Sequence, residues 1–296
     1  MKESINMQRW TQQRVSANEI DNRLESLLYR VSEYRHLFRP VQPAVTNSNE
    51  LVTYHEYCPA LQIQPYIYCY WQLKTTQKLQ QPFFYRVVAD GCIDIAFDLK
   101  RTQESVVMGF HDTFNEFALE SEFNYVGIRF LPAMFPVAFN VDASELSHCM
   151  LPLDNLLPGI ARHIRNNANP QFRMDQLIRF LDDYFVRELA GVRREIDHRF
   201  FNALQSILIR QGPINIGSGI DTGLSSRQMR RLFNFYIGDS PKRFAKVVRF
   251  QNVLLAKPSR QSLRQNKLFF DGYYDQAHFI KEFRQFYGLT PSKAFS

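Results

Sequence analysis

The sequence predicts an α+β chain, with a β-rich domain and trailing helices first and an all-helical final third. Three observations point to it. Short β-branched and aromatic runs, separated by Pro, Gly, Asp and Asn, crowd residues 51–131. Helical spacing takes over from Met174. Near the C-terminus one helical pattern is written twice, fifty residues apart. Ser225, Met229, Phe233, Gly238, Ser240 and Pro241 recur as Asp275, Phe279, Phe283, Gly288, Thr290 and Pro291. Each copy reads as an N-cap, two apolar residues one turn apart, a stopping glycine and a Ser/Thr-Pro that starts the next element.

The elements follow in order, over three expected domains at 1–49, 50–192 and 193–296. In the first, Ile20, Leu24, Leu27, Val31, Tyr34 and Phe38 keep a 4-3-4-3-4 spacing flanked by charges. That is either a coiled-coil seam for a homodimer or a helix lying on its own domain's sheet. Next, VTYHEY, YIYCYWQL, CIDIAFDL, VVMGF and FNYVGIRFL predict five or six strands of a small sandwich or barrel. Both faces are apolar from Tyr66 to Trp71, so that strand is covered on both sides. Asp90, Asp94 and Asp98 share one strand face and are expected to edge a turn. Tyr66, Tyr68, Tyr70, Trp71, Phe83, Phe84 and Phe97 form either an aromatic core or the lining of an effector pocket, with Tyr68, Tyr70, Trp71, Phe84 and Phe97 its centre. Short helices are expected at 132–139 and 143–148, and an amphipathic one at 174–189. Arg193, Arg194 and Arg199 at the second break are either a phosphate or nucleotide patch or a solvated, DNA-facing one.

Charge divides the chain as the elements do. Residues 193–296 hold 18 Lys/Arg against 7 Asp/Glu, a net +11; the rest hold 18 against 22, a net −4. A basic final third on a mildly acidic chain points to a polyanion partner for one domain alone. A hydrophobic fraction of 45% excludes a disordered chain. No run of 18 apolar residues and no signal core occur, so no membrane partner is expected. Cys58, Cys69, Cys92 and Cys149 have no zinc-like spacing, so free thiols, no metal and a reducing cytoplasm are expected. GxGxxG, P-loop and HExxH patterns do not occur, and the expectation is no enzyme and no cofactor.

The repeated helices carry the chemistry. From Ser226, Met229, Leu232, Phe233 and Tyr236 make an apolar stripe, while Arg227, Arg230, Arg231 and Asn234 fall on the opposite face. Guanidiniums and an amide on one exposed face are groups that read base edges and grip phosphate; a solvated basic face is the bland alternative, and the repetition weighs against it. In the second copy Phe279, Phe283 and Phe286 face inward, with Gln276, Ala277, Lys281 and Arg284 outward. Between them, residues 241–256 predict a helical strut about 24 Å long, capped by Ser240 and striped by Phe244, Val247, Val248, Gln251 and Leu255.

At these residues a resemblance appears. GLSSRQMRRLFNFYIGDSPKRFAKVVRFQNVLLA and GYYDQAHFIKEFRQFYGLTPSKAF resemble the double helix-turn-helix domain of the AraC/XylS family of bacterial transcription regulators. The resemblance implies that the second helix of each unit enters a major groove of double-stranded DNA. It also implies an activator, with RNA polymerase as a further partner. CPALQIQPYIYCYW, RVVADGCIDIAF and YVGIRFLPAMFPVAFNVDASELSHCMLPLDNL are similar to the amino-terminal domain of one AraC subgroup, which implies an effector-sensing or dimerising role with an unknown small-molecule effector. The sequence departs from the pattern at Ser218, Gly219, Lys267 and Leu268, in the helix that precedes each reader. The alternative function is therefore an effector- or partner-binding regulator whose degenerate helix-turn-helix does not read DNA alone.

Overall fold

The computed structural model describes residues 35–43, 51–192, 196–212, 222–258 and 272–295. Among the described residues, eight strands lie between 52 and 152. β1 (Val52–Tyr57), β2 (Ile67–Thr75), β7 (Asn124–Phe130), β4 (Ile93–Asp98), β5 (Arg101–Met108) and β8 (Met150–Pro152) form one antiparallel sheet in that order. β3 (Phe83–Val87) and β6 (Asn115–Leu119) pair as a separate ribbon. Helices follow: α1 (Met134–Phe139), α2 (Leu153–Leu156), α3 (Pro158–Asn167), α4 (Met174–Leu189), α5 (His198–Ile209), α6 (Ser226–Ile237), α7 (Pro241–Ala256), α8 (Gln276–Tyr287) and α9 (Pro291–Ala294). The chain is α+β. The expected short helix at 143–148 is a single 3-10 turn, Ala143–Glu145, capped by Asp142.

The large sheet is covered on both faces, which is why β2 is apolar on both. Tyr70, Ile95, Ile128 and Phe130 pack with the helices. Trp71, Leu73 and Ala96 pack with Tyr85, Phe83 and Phe117 of the ribbon. Trp71 stands opposite Gly127 in the register, and Gly127 stands opposite Ala96. A Cβ on Gly127 would overlap the Trp71 indole, so two small neighbours make room for one large ring.

Under that ring lies a charge network; Asp90 and Asp98 edge turns as expected, accepting from Cys92 N and Lys100 N at 3.0 Å, and Asp94 alone departs from the expectation. Asp94 and Asp98 are buried within β4, and Asp90 is buried just before it. Arg129 of β7 is 2% exposed and meets Asp94 at 3.0 Å, Asp90 at 3.4 Å and Glu56 at 3.5 Å. Trp71 Nε1 donates to Asp94 at 2.8 Å. A buried guanidinium persists only where carboxylates neutralise it and its N–H groups find acceptors.

At Phe38, the last residue of the 4-3-4-3-4 series, the alternative of packing on the chain's own domain holds. Its ring is buried in the chain's own core, edge-on to Tyr68 at 6.3 Å. Arg35 donates to the carbonyls of Gln64, Ile67 and Tyr68. Ile20, Leu24, Leu27, Val31 and Tyr34 lie outside the described residues.

The helical third rests on the β-domain through both repeated units. Gly238 (φ +100°) and Gly288 (φ +87°) end α6 and α8 in the left-handed region that favours glycine. Each closes against the β-domain: Gly238 against Ala143 and Ser147, Gly288 against the Phe114 ring. Backbone bonds reinforce the second contact, from Ala89 N to Phe286 O (3.4 Å) and from Phe114 N to Gln285 O (3.3 Å). Gln251, buried in α7, binds the backbones of Val41 and Ala89. Its amide has the donors and acceptor to satisfy three buried peptide groups, which an apolar residue in the stripe would leave unpaired.

Candidate nucleic-acid interface

Local chemistry sets the two reader helices. Ser225 Oγ accepts from Gln228 N at 3.3 Å while Gln228 Oε1 accepts from Ser225 N at 3.0 Å, a reciprocal cap for α6. Asp275 accepts from His278 N at 2.7 Å at the head of α8. Phe233 and Phe283, the matched positions of the repeat, are both wholly buried against α7, on Phe244 (6.2 Å) and Phe250 (5.4 Å) respectively. Burying a phenylalanine contributes about 1.5–3 kcal/mol, so the strut and both readers form one packed unit.

With those faces turned inward, Arg227, Arg230, Arg231 and Asn234 are exposed on α6. Gln276, Ala277, Lys281 and Arg284 are exposed on α8. Among the described residues, Arg227, Arg230, Arg231, Lys281 and Arg284 have no carboxylate within ion-pairing distance. Tyr274, which sequence reasoning passed over, is 93% exposed just before α8; its neighbour Tyr273 is tucked under the Arg249 guanidinium at 3.9 Å. The adjacent tyrosines were the visible signal, but not which of them faces out.

Beneath the second reader lies a buried acid that spacing alone did not mark. Glu282 is 3% exposed and pairs with Arg249 at 2.5 Å and Lys246 at 2.8 Å, both from α7, with His278 at 3.7 Å. The strut stripe is as expected except at Leu255, which is exposed because α7 ends there, at Lys257 with φ +44°.

The remaining candidates separate. Arg199 is bound to Asp197 at 2.8 Å in the cap of α5, and Arg193 and Arg194 lie outside the described residues. The aromatic pocket set does not converge: Tyr70 and Phe97 are fully buried in the helix-side core, Trp71 faces the ribbon, Tyr68 is half-buried beside Phe38, and Phe84 is 64% exposed. Alternation along β2 explains the split, because neighbours on a strand point to opposite faces. A cavity does exist elsewhere, lined by Asp90, Asp94, His111, Thr113, Asn115 and Arg129 among others. Ser218, Gly219, Lys267 and Leu268 fall outside the described residues. No described helix is long and apolar enough to cross a membrane, and no three His, Cys, Asp or Glu side chains among the described residues converge as metal ligands.

Known proteins bear on this arrangement. A family model described as a helix-turn-helix domain matches residues 221–296. Another, described as a domain of unknown function (DUF6597), matches residues 55–152. An uncharacterized HTH-type transcriptional regulator of Haemophilus influenzae is 41% identical over 141 residues, covering 44% of this chain and 47% of that protein. The match thus spans about half the length of that relative. Among solved structures, ToxT from Vibrio cholerae O395 is similar at 11% identity and a TM-score of 0.35, covering 83% of this chain and 98% of that one. ToxT bound to (E)-4-(8-methylnaphthalen-1-yl)but-3-enoic acid gives the same identity and TM-score, over 82% and 96%. Both superpositions are loose. Residues 221–296 are thus a helix-turn-helix domain, and their duplicated, capped helical units are similar to those of AraC/XylS-type transcription regulators.

Proposed function

We propose that this protein is a sequence-specific, double-stranded DNA-binding transcription regulator that lays α6 and α8 into successive major grooves. The observation that carries the reading is the pair of matched helices whose cations and amides face solvent, the cations having no carboxylate within ion-pairing distance among the described residues. Arg227, Arg230, Arg231 and Asn234 serve as the first reader, and Gln276, Ala277, Lys281 and Arg284 as the second. The strut is about 24 Å long, shorter than the roughly 34 Å between groove entries on one duplex face, so packing offsets or a bend in the duplex close the difference. The reading divides the chain into an extension (1–49), a sensory or dimerising domain (50–192) and the DNA-binding domain (193–296). It takes the protein as a cytoplasmic activator that works with RNA polymerase, responds to a small molecule and carries no enzymatic activity.

A gel shift on the DNA upstream of its own gene, run from 50 to 200 mM salt, tests it. Specific binding that weakens steeply with salt is expected, because phosphate contacts release counterions. Equal affinity for unrelated sequences would overturn it and favour a regulator that does not read DNA alone.

A further inference from the structure

The repeat lets the two readers be compared position by position. Each is held at its C-terminal end by the β-domain, through Gly238 on Ala143 and Ser147 and through Gly288 on Phe114. The N-terminal halves are therefore the free ends. There, with the caps Ser225 and Asp275 in register, Arg227, Arg230 and Arg231 of α6 match Ala277, Ile280 and Lys281 of α8. All six are exposed. Two of the three guanidiniums of the first reader are thus replaced by apolar side chains in the second, three residues apart and side by side on the helix surface. Ile280 is not a stray member of the buried stripe: it is 36% exposed, against 1% or less for Phe279, Phe283 and Phe286.

The residue before each cap differs in the same direction. Leu224 packs against the core, whereas its match Tyr274 is 93% exposed and the packing falls to Tyr273. Tyr274 N donates to His278 Nδ1 at 3.3 Å, which fixes the turn that presents the ring. The entry of α8 therefore offers an aromatic ring, a methyl and a branched chain where the entry of α6 offers arginines. A single exposed apolar residue needs no explanation. These three, however, gather at the end that the repeat leaves free, among Gln276, Lys281 and Arg284.

The major groove holds one apolar group, the thymine C5 methyl; guanine shows only the acceptors O6 and N7 there. Arginine suits guanine because its fork donates to both. Alanine and isoleucine side chains donate nothing. Against guanine they strip water from both acceptors without replacing it; against thymine they bury a methyl. Three residues rise about 4.5 Å along a helix, close to the roughly 3.4 Å between base pairs, so Ala277 and Ile280 fall on the same or adjacent pairs. We infer that the two readers take half-sites of different base chemistry, guanines for Arg227 and Arg230 of α6 and thymine methyls for Ala277 and Ile280 of α8. This assignment rests on the proposed DNA binding and names the sequence it recognises. A site so divided has no two-fold symmetry, and it fixes which way round the protein sits.

The test uses the full chain and the duplex it enriches from random DNA. That duplex is remade with single thymines as uracil, which lacks only the methyl, or single guanines as deazaguanine, which lacks N7. Loss of contact in Arg227→Ala/Arg230→Ala marks the α6 half. Each contacted uracil in the other half should weaken binding about fourfold, the worth of one buried methyl. Each contacted deazaguanine in the α6 half should weaken it about fivefold or more. Ile280→Ala should erase the uracil effect at one pair and keep the deazaguanine effects. Ile280→Arg, which copies the first reader, should turn preference at that pair from thymine to guanine. If either variant fails to fold, the modified duplexes still decide with the unaltered protein. An α8 half without thymine, uracil effects under about twofold there, or equal sensitivity to both bases in the two halves overturns the division and leaves DNA binding standing. A full set of uracil effects in folded Ile280→Ala overturns the role of Ile280. Failure to enrich any site overturns the DNA reading and this division with it.

Discussion

The two helix-turn-helix units share a plan and differ in how their charge is held. The first reader shows three arginines and an asparagine to solvent, and the buried residues of its helix, Met229, Phe233 and Ile237, are all apolar. The second shows fewer cations and keeps Glu282 buried beneath them, tied to Lys246 and Arg249 of the strut. The second also makes the backbone bonds to the β-domain, through Gln285 and Phe286. Dense exposed charge suits affinity for phosphate; a braced helix joined to another domain suits transmission of a signal. The two copies thus share one geometry and differ in the charge they carry and in their bonds to the β-domain.

The largest expected effect breaks the brace. Glu282→Ala leaves two strut cations without their shared acid and should destabilise the protein by about 3–5 kcal/mol, read by urea unfolding. A cost below about 1 kcal/mol would mean the brace is merely decorative. Asp94, the buried acid of the β-domain, gives a second scale. Burial and the charge of Asp90 push its pKa up to about 6, against the pull of Arg129. A raised carboxyl pKa stabilises the fold below the ordinary value near 4, and that contribution is lost as pH rises through about 6. Stability measured from pH 4 to 7 should fall by on the order of 2–3 kcal/mol from this group. Asp94→Asn should lack that fall whatever its cost at fixed pH.

Smaller effects sharpen the division of labour. Arg230→Ala should weaken binding to a cognate site by about 1–3 kcal/mol and relax preference at one base pair, with unfolding unchanged. Uniform weakening on all sequences would assign it to phosphate. Gly288→Ala forces a side chain into left-handed backbone beside Phe114 and should cost about 1–2 kcal/mol. Lys281→Ala should lower the salt slope of binding by about one, the least of these changes.

Much of this was legible in the chain because it is local. Caps, stopping glycines and the apolar stripes at 229, 233, 279 and 283 are set within one or two turns, and five strands carry strong β-forming runs. The ribbon strands β3 and β6 went unread because they are five residues each with mixed burial. The strand β8 has three residues and ends in proline. Assembly over long separations was hidden altogether. Arg129 meets Asp94 across 35 residues, and Glu282 meets Arg249 across 33. The arginine inside YVGIRF was the available hint, since a guanidinium in a two-sided apolar strand requires acids from a neighbouring one. The effector set failed for the same reason: aromatic residues crowded in sequence were dealt to different faces of the sheet.

Selecting bound fragments from random DNA and footprinting the winner with hydroxyl radicals tests the central claim most directly. The account predicts one enriched site per protomer, with two protected stretches about one helical turn apart, and loss of the first alone in Arg227→Ala/Arg230→Ala. A single protected stretch, or no enriched sequence at all, would contradict it.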